Sequence, residues 1–296
     1  MKITVFSLWR DSVSYIDKAL SNIKALESNN KDIEFEYYFY ENDSTDDTKK
    51  ILEDFFRYRK GKLVSEKLLA PKFGSVITPQ RMRAMAEYRN KILNFAKPMD
   101  SDYSLIWDSD VDFDENILNK FLEYRDEGAM LCPNIRQNVP CMMGSGDDTS
   151  YYDSLSLVDR YNVLCMIWAG NPFYDEEDRA KYEKGLPIEV HKAFGGFVLI
   201  KSEVLNKESV EWFSNGCLEH WGLCERVREQ NEKIIFLPKA RVSVTIPEGD
   251  INFIKGKMGH FRTTQEERAK MSSWERELSF QEFQMQGVYC PPSFPL

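Results

Sequence analysis

The chain has 296 residues, 42% of them hydrophobic and 13% aromatic, with a formal net charge of -9. That composition belongs to a folded globular protein, and the acidic balance excludes nucleic acid as the main partner, because phosphate backbones need a concentrated basic surface; a local basic cluster can still bind one small anion. The start, MKITVFSLWRDS, has an apolar stretch too short for a signal-peptide core, and no apolar run is long enough to span a bilayer, so the expected setting is cytoplasmic, with peripheral membrane association left open.

The first half alternates strand-like and helix-like segments, the pattern of a mostly parallel sheet with crossover helices. Lys2 to Leu8 reads as a strand, and Ser14 to Leu26 as a helix with Ile16, Leu20, Ile23 and Leu26 on one stripe. Ile33 to Tyr40 alternates as a strand does and ends in ENDSTDDT, where Ser44 or Thr45 is placed to cap a helix over Asp46 to Phe56. Residues 61–80, with Gly61, Pro71, Gly74 and Pro79, read as a loop. The helix Gln80 to Ala96 carries an apolar stripe of Met82, Met85, Ala86, Ile92, Leu93 and Ala96, and Arg89 occupies the remaining place on it. An arginine there is costly unless its charge is paired, so it is either a snorkelling or salt-bridged residue or an inward guanidinium awaiting a phosphate or carboxylate.

Tyr103 to Phe113 reads YSLIWDSDVDF, a short apolar run that stops on Asp108 and Asp110. Glu115 to Tyr124 follows as a helix. Residues 133–186 are loop-rich and include NPFYDEEDRAKYEKG, which reads as a surface excursion near an acceptor site. A buried strand over Gly195 to Lys201, a helix over Glu219 to Glu229 and a strand over Lys233 to Leu237 complete the regular pattern, and Ser273 to Met285 is a candidate helix before the PPSFPL tail. The six cysteines, Cys132, Cys141, Cys165, Cys217, Cys224 and Cys290, form no C-x-x-C pair and are expected as reduced thiols.

The acids of DSDVDFDEN need separate readings. An EF-hand loop starting at Asp108 requires glycine at its sixth position and glutamate at its twelfth, and Phe113 and Asn119 stand there instead. Asp112 and Asp114 precede a helix and suit its N-terminal dipole. Asp108 and Asp110 interrupt a strand bound for the core. Two carboxylates at the C-terminal end of such a strand suit a hydrated, oxygen-liganded Mn²⁺ or Mg²⁺ that completes its shell with phosphates, with Arg81, Arg83 and Arg89 as further positive charge.

ENDSTDDT resembles the nucleoside-binding turn of GT-A glycosyltransferases, and WDSDV resembles the D-x-D of α-mannosyltransferases on that fold. Within them the chain is similar to glycosyltransferase family 69, the capsule-associated fungal α-1,3-mannosyltransferases. RMRAMAEYRNKIL looks like that family's R-x-x-x-L-A-x-x-R-N-x-x-L, with Met85 in place of leucine, and Tyr151 to Asp153 looks like its F-Y-D, with the later acid at Asp159. FGGFVLI resembles its glycine-bearing strand and LEHWGLC its S-E-C-x-L-x-C, with His220 for the first cysteine; Ser109 stands where the family often has asparagine. The matches keep their order from about residue 3 to residue 246.

The resemblance implies an α/β fold of the GT-A, Rossmann-like type: a mostly parallel central sheet flanked by helices over residues 1–246, divided into a nucleotide-binding half (1–125) and an acceptor-binding half (126–246), with a C-terminal extension over 247–296. It implies a nucleotide sugar, GDP-mannose first, transferred with retention to a glycan or glycoprotein acceptor. Ser7, Trp9 and Arg10 and then Glu41, Asn42 and Asp43 would border the nucleoside, and Arg81 and Arg89 would lie near the diphosphate. Asp108 and Asp110 would hold metal and ribose, with His260 as a third metal ligand. Glu219 would lie by the donor sugar and acceptor hydroxyl; as a helix-start acid it also suits the dipole, and as a base it would make the reaction inverting. A lone histidine such as His260 is more often a hydrogen-bonded structural residue. A nucleotidyltransferase and a non-catalytic carbohydrate-binding protein remain the rival readings, the first disfavoured because FSLWRDS lacks a phosphate-loop glycine.

Overall fold

A computed structural model describes residues 1–73, 78–140, 149–153, 156–165, 170–214 and 218–245. His260, the Ser273 to Met285 helix and the whole of the 247–296 extension lie outside the described residues. In chain order the elements are β1 (Lys2–Trp9), α1 (Ile16–Asn29), β2 (Glu34–Asn42), α2 (Thr48–Phe56), β3 (Gly61–Glu66), α3 (Pro79–Ala96), β4 (Tyr103–Trp107), β5 (Asp112–Phe113), α4 (Ile117–Leu122), β6 (Met130–Pro140), β7 (Thr149–Tyr151), β8 (Val158–Asp159), α5 (Glu176–Lys184), β9 (Ile188–Lys192), β10 (Phe197–Lys201), α6 (Ser202–Leu205), α7 (Glu219–Glu229) and β11 (Ile234–Val244).

The strands join in one sheet of order β3-β2-β1-β4-β10-β6-β11-β9-β8. β3, β2, β1 and β4 run parallel, β10 is inserted antiparallel between β4 and β6, and β6 and β11 are again parallel. β1 and β4, in the middle of the sheet, are buried along almost their whole length and read as largely apolar runs, as strands covered on both faces do. Trp9, Phe39 and Trp107 meet beneath their C-terminal ends, with Trp9 5.5 Å from Trp107 in an edge-to-face contact and 5.4 Å from Phe39. The strand ends therefore stand on a rigid aromatic floor, where open α/β sheets place their ligands.

Several local expectations give way. Residues 61–66 form an edge strand rather than loop, paired along β2. α2 begins at Thr48, and Ser44 and Thr45 do not cap it: Ser44 accepts the Asp11 N–H, Thr45 donates to Asp11, and Asp46 accepts the Thr48 N–H at 2.9 Å. Asp112 is no helix cap either, because its carboxylate bonds Lys18 and Asn22 of α1; Asp114 does take the turn before α4, accepting the Asn116 N–H at 2.8 Å. Within 133–186, DEEDRAKYEKG supplies a regular helix, α5, with Asp175 accepting the Asp178 N–H at its start and left-handed Gly185 at its end. No helix among the described residues is long and apolar enough to cross a membrane.

Candidate functional site

β4 stops at Trp107, and a tight turn follows. The Val111 N–H donates to the Asp108 carbonyl at 2.9 Å, and Trp107 Nε1 donates to the Val111 carbonyl at 2.9 Å. The turn presents Asp108 and Asp110 at the strand end and buries Ser109 between them, its hydroxyl 3.3 Å from that of Tyr15. Asp110 is exposed and its carboxyl is pushed up to about 6, by desolvation first and by Asp108 second. Because solvent reaches this side chain, repulsion from Asp108 is the contribution the geometry supports best.

Arg89 sits on the inward stripe of α3 and is only 3% exposed. Its Nη2 donates to Asp108 Oδ1 at 2.8 Å, its Nε stands 3.6 Å from Glu219 Oε1, and its guanidinium lies 5.1 Å from the Phe194 ring centroid. Burial alone would weaken its hold on the proton, but Asp108 and Glu219 outweigh burial and raise its affinity. The salt-bridged reading of this arginine is therefore the one observed.

Glu219 opens α7 and is 3% exposed; burial raises its proton affinity, and Arg89 counteracts that only in part. His220 lies flat on Phe194, ring centroids 3.7 Å apart, with its Nε2 3.4 Å from Glu219 Oε1. Burial, with Arg89 next, drives its affinity for a proton far down, so the imidazole stays neutral and the contact with Glu219 is not an ion pair.

Arg81, one turn into the same helix as Arg89, is half-buried. Its side chain makes no hydrogen bond or ion pair with a described residue, yet its charge acts on Asp110, Glu219 and His220. It is an uncommitted cation at the edge of the acidic cluster, which Arg89 is not.

Most of the residues expected around a nucleoside are engaged within the protein by their side chains. Arg10 donates to the carbonyls of Ala70 and Pro71 at 2.9 and 3.1 Å. Glu41 accepts from the Ser44 N–H and the Ser65 hydroxyl. Asp43 accepts the N–H groups of Leu68, Leu69 and Ala70, and also a hydrogen bond from Asn42. Trp9 is in the aromatic floor, and the Ser7 hydroxyl is buried without a partner. Arg10, Glu41 and Asp43 thereby tie together the loops after β1, β2 and β3, and their guanidinium and carboxylate groups are largely consumed in doing so.

The carboxylates fit a hard divalent cation. Asp108 keeps Oδ2 out of the Arg89 bond, a Cβ on Gly196 would come within 3.3 Å of that oxygen, and Asp110 is open to solvent. Among the described residues no third His, Cys, Asp or Glu joins them, so the donor set suits an ion that takes its remaining ligands from phosphate and water, not one in a closed cage.

The sequence reading missed the turn that carries much of this. Ala193 to Gly196 places the Phe194 ring against both Arg89 and His220, the Gly196 carbonyl accepts the Asp108 N–H at 2.7 Å, and Asp153 Oδ2 accepts the Gly195 N–H at 2.7 Å. The paired glycines were a visible signal; the residues they serve were not.

No family model and no curated protein matches the sequence. Solved structures do match in fold. A mannosyltransferase from Pyrobaculum calidifontis, in complex with GDP-Man and Mn²⁺, is 14% identical over 99% of this chain and 76% of its own, with a TM-score of 0.52. GalNAc-T7 with UDP, GalNAc and Mn²⁺ is 14% identical over 84% of this chain and 45% of its own, with a TM-score of 0.55. S. aureus TarS, residues 1–349, is 16% identical over 96% of this chain and 70% of its own at a TM-score of 0.49. The architecture is that of the GT-A glycosyltransferases: a central, mostly parallel sheet flanked by helices.

Proposed function

We propose that the chain is a metal-dependent glycosyltransferase that moves a hexose from a nucleotide-diphosphate sugar to an acceptor hydroxyl. The observation that carries the reading is the pair Asp108 and Asp110 at the end of β4, open toward solvent beside the uncommitted Arg81. GDP-mannose is the favoured donor and a glycan or glycoprotein the acceptor, supported by the family 69 resemblance and by the fold shared with a mannosyltransferase solved with GDP-Man and Mn²⁺. A cytoplasmic location belongs to the same reading.

Mn²⁺ or Mg²⁺ held by Asp108 and Asp110 would act as a Lewis acid that neutralises charge on the departing diphosphate. Arg81 adds a second cation to the same leaving group. Arg89, already spent on two carboxylates, fixes Asp108 and Glu219 in place. For retention, the acceptor oxygen bonds the anomeric carbon on the face the phosphate oxygen leaves, and the acceptor's proton passes to that oxygen; the protein contributes position and electrostatics. One observation favours a second reading: Glu219 is a buried carboxylate with raised proton affinity, suited to take the acceptor proton from the opposite face and so invert.

A panel of GDP and UDP sugars with and without Mn²⁺ tests the reading, scored by donor hydrolysis and heat stabilisation, with the product anomer read by NMR. Metal-dependent hydrolysis of GDP-mannose is the expected result. If no nucleotide sugar is hydrolysed or stabilises the protein, the non-catalytic alternative takes its place.

A further inference from the structure

We propose that Asp153 is a positioning residue that sets Asp108 through the Gly195–Gly196 turn; this rests on the metal reading of Asp108 given above. Asp153 follows β7, far from β4 in sequence and part of no strand. Its carboxylate has both oxygens engaged within the protein, Oδ2 by the Gly195 N–H at 2.7 Å and Oδ1 by the Ser156 hydroxyl at 2.6 Å. No cation pairs with it among the described residues. A carboxylate held only by neutral donors stabilises a backbone N–H that otherwise goes unmade inside the protein, since Gly195 is buried.

That N–H belongs to a turn with no freedom to move alone. Gly195 and Gly196 both take positive φ, +68° and +63°. Added Cβ atoms would stand 3.0 Å from Pro133 at the first and 2.7 Å from Val111 at the second, so the turn is packed against β6 on one side and the Asp108–Val111 turn on the other. The Gly196 carbonyl then accepts the Asp108 N–H at 2.7 Å. Asp153 thus fixes the N–H end of a two-residue unit whose carbonyl end fixes the main chain of the proposed metal ligand. Groups in this supporting position orient first ligands, and their loss costs about 10- to 100-fold in metal affinity at well-studied sites.

Asp153→Ala removes the acceptor; Asp153→Asn keeps an oxygen for the Gly195 N–H. Amide hydrogen exchange on the metal-free proteins reads the positioning alone. Asp153→Ala should lose protection at Gly195 and Asp108 while β1 and β2 amides exchange as in wild type, and Asp153→Asn should restore it. Titration with Mn²⁺ alone, followed by the loss of the free-ion spin-resonance signal, should show at least about tenfold weaker binding in Asp153→Ala and near wild-type binding in Asp153→Asn. Unchanged protection and unchanged Mn²⁺ affinity in folded Asp153→Ala overturn the proposal, as does Asp153→Asn behaving like the alanine variant. Wild type that binds no Mn²⁺ would overturn the metal reading instead, and the exchange data would still decide the role of Asp153. If Asp153→Ala does not fold, Ser156→Ala, which frees the same carboxylate on its other side, should show the same losses to a smaller degree; wild-type exchange and Mn²⁺ affinity in that variant overturn it.

Discussion

Arg89 donates from Nη2 to Asp108 Oδ1 at 2.8 Å while its Nε stands 3.6 Å from Glu219 Oε1, so one buried guanidinium joins the acid at the end of β4 to the first residue of α7. The consecutive elements α3 and β4 are thereby locked to the distant α7 at the point where the sheet presents its carboxylates. Such a charge is stable inside a protein only with its partners, which makes the triad a device for geometry more than for net stability.

Arg89→Ala should therefore destabilise the fold by about 3–5 kcal/mol, the usual cost of leaving buried charge uncompensated. Denaturant unfolding measures it. A loss under about 1 kcal/mol would mean that Glu219 is relieved by protonation or by solvent.

Arg81→Ala should behave oppositely. With no partner to lose, its stability should stay within about 0.5 kcal/mol of wild type. Nucleoside diphosphate binding should weaken by about tenfold, corresponding to about 1.4 kcal/mol, while nucleoside binding holds. Calorimetric titration with GDP and guanosine separates the two, and equal losses for both ligands would remove Arg81 from the diphosphate.

Asp178 gives a pH signature away from the site. It is fully buried in the first turn of α5, 3.6 Å from Arg160, and its carboxyl is pushed up to about 6, by burial first. The folded state thus holds the proton more tightly than the unfolded chain. This contribution to stability is complete below about pH 4 and is lost as pH rises through about 6. Asp178→Asn should flatten that part of the stability profile, as read by thermal melts from acid to neutral pH. An unchanged slope would assign it to other acids.

The parallel half of the fold was readable because its strands and helices follow the two periods of apolar residues cleanly, and Arg89 stood out as the one charge on an apolar stripe. β3 escaped because it is a short edge strand with a single buried residue, Val64, and it lies among glycine and proline. α5 escaped because it is polar on all faces, although its Asp175 and Gly185 caps were present in the sequence. Asp112 read as a cap because its neighbours in sequence form a helix, while its actual partners, Lys18 and Asn22, lie on α1. The contacts that finish the site, Asp153 to Gly195 and Gly196 to Asp108, join residues that no local period relates.

The most direct measurement is the affinity of wild type and Asp110→Ala for GDP-mannose, each with and without Mn²⁺. Asp110 is exposed and bears no structural hydrogen bond to another described residue, so the variant should melt like wild type. Its Mn²⁺-dependent gain in donor binding should vanish. Equal donor affinity in Mn²⁺ for wild type and Asp110→Ala would contradict a metal site at the end of β4.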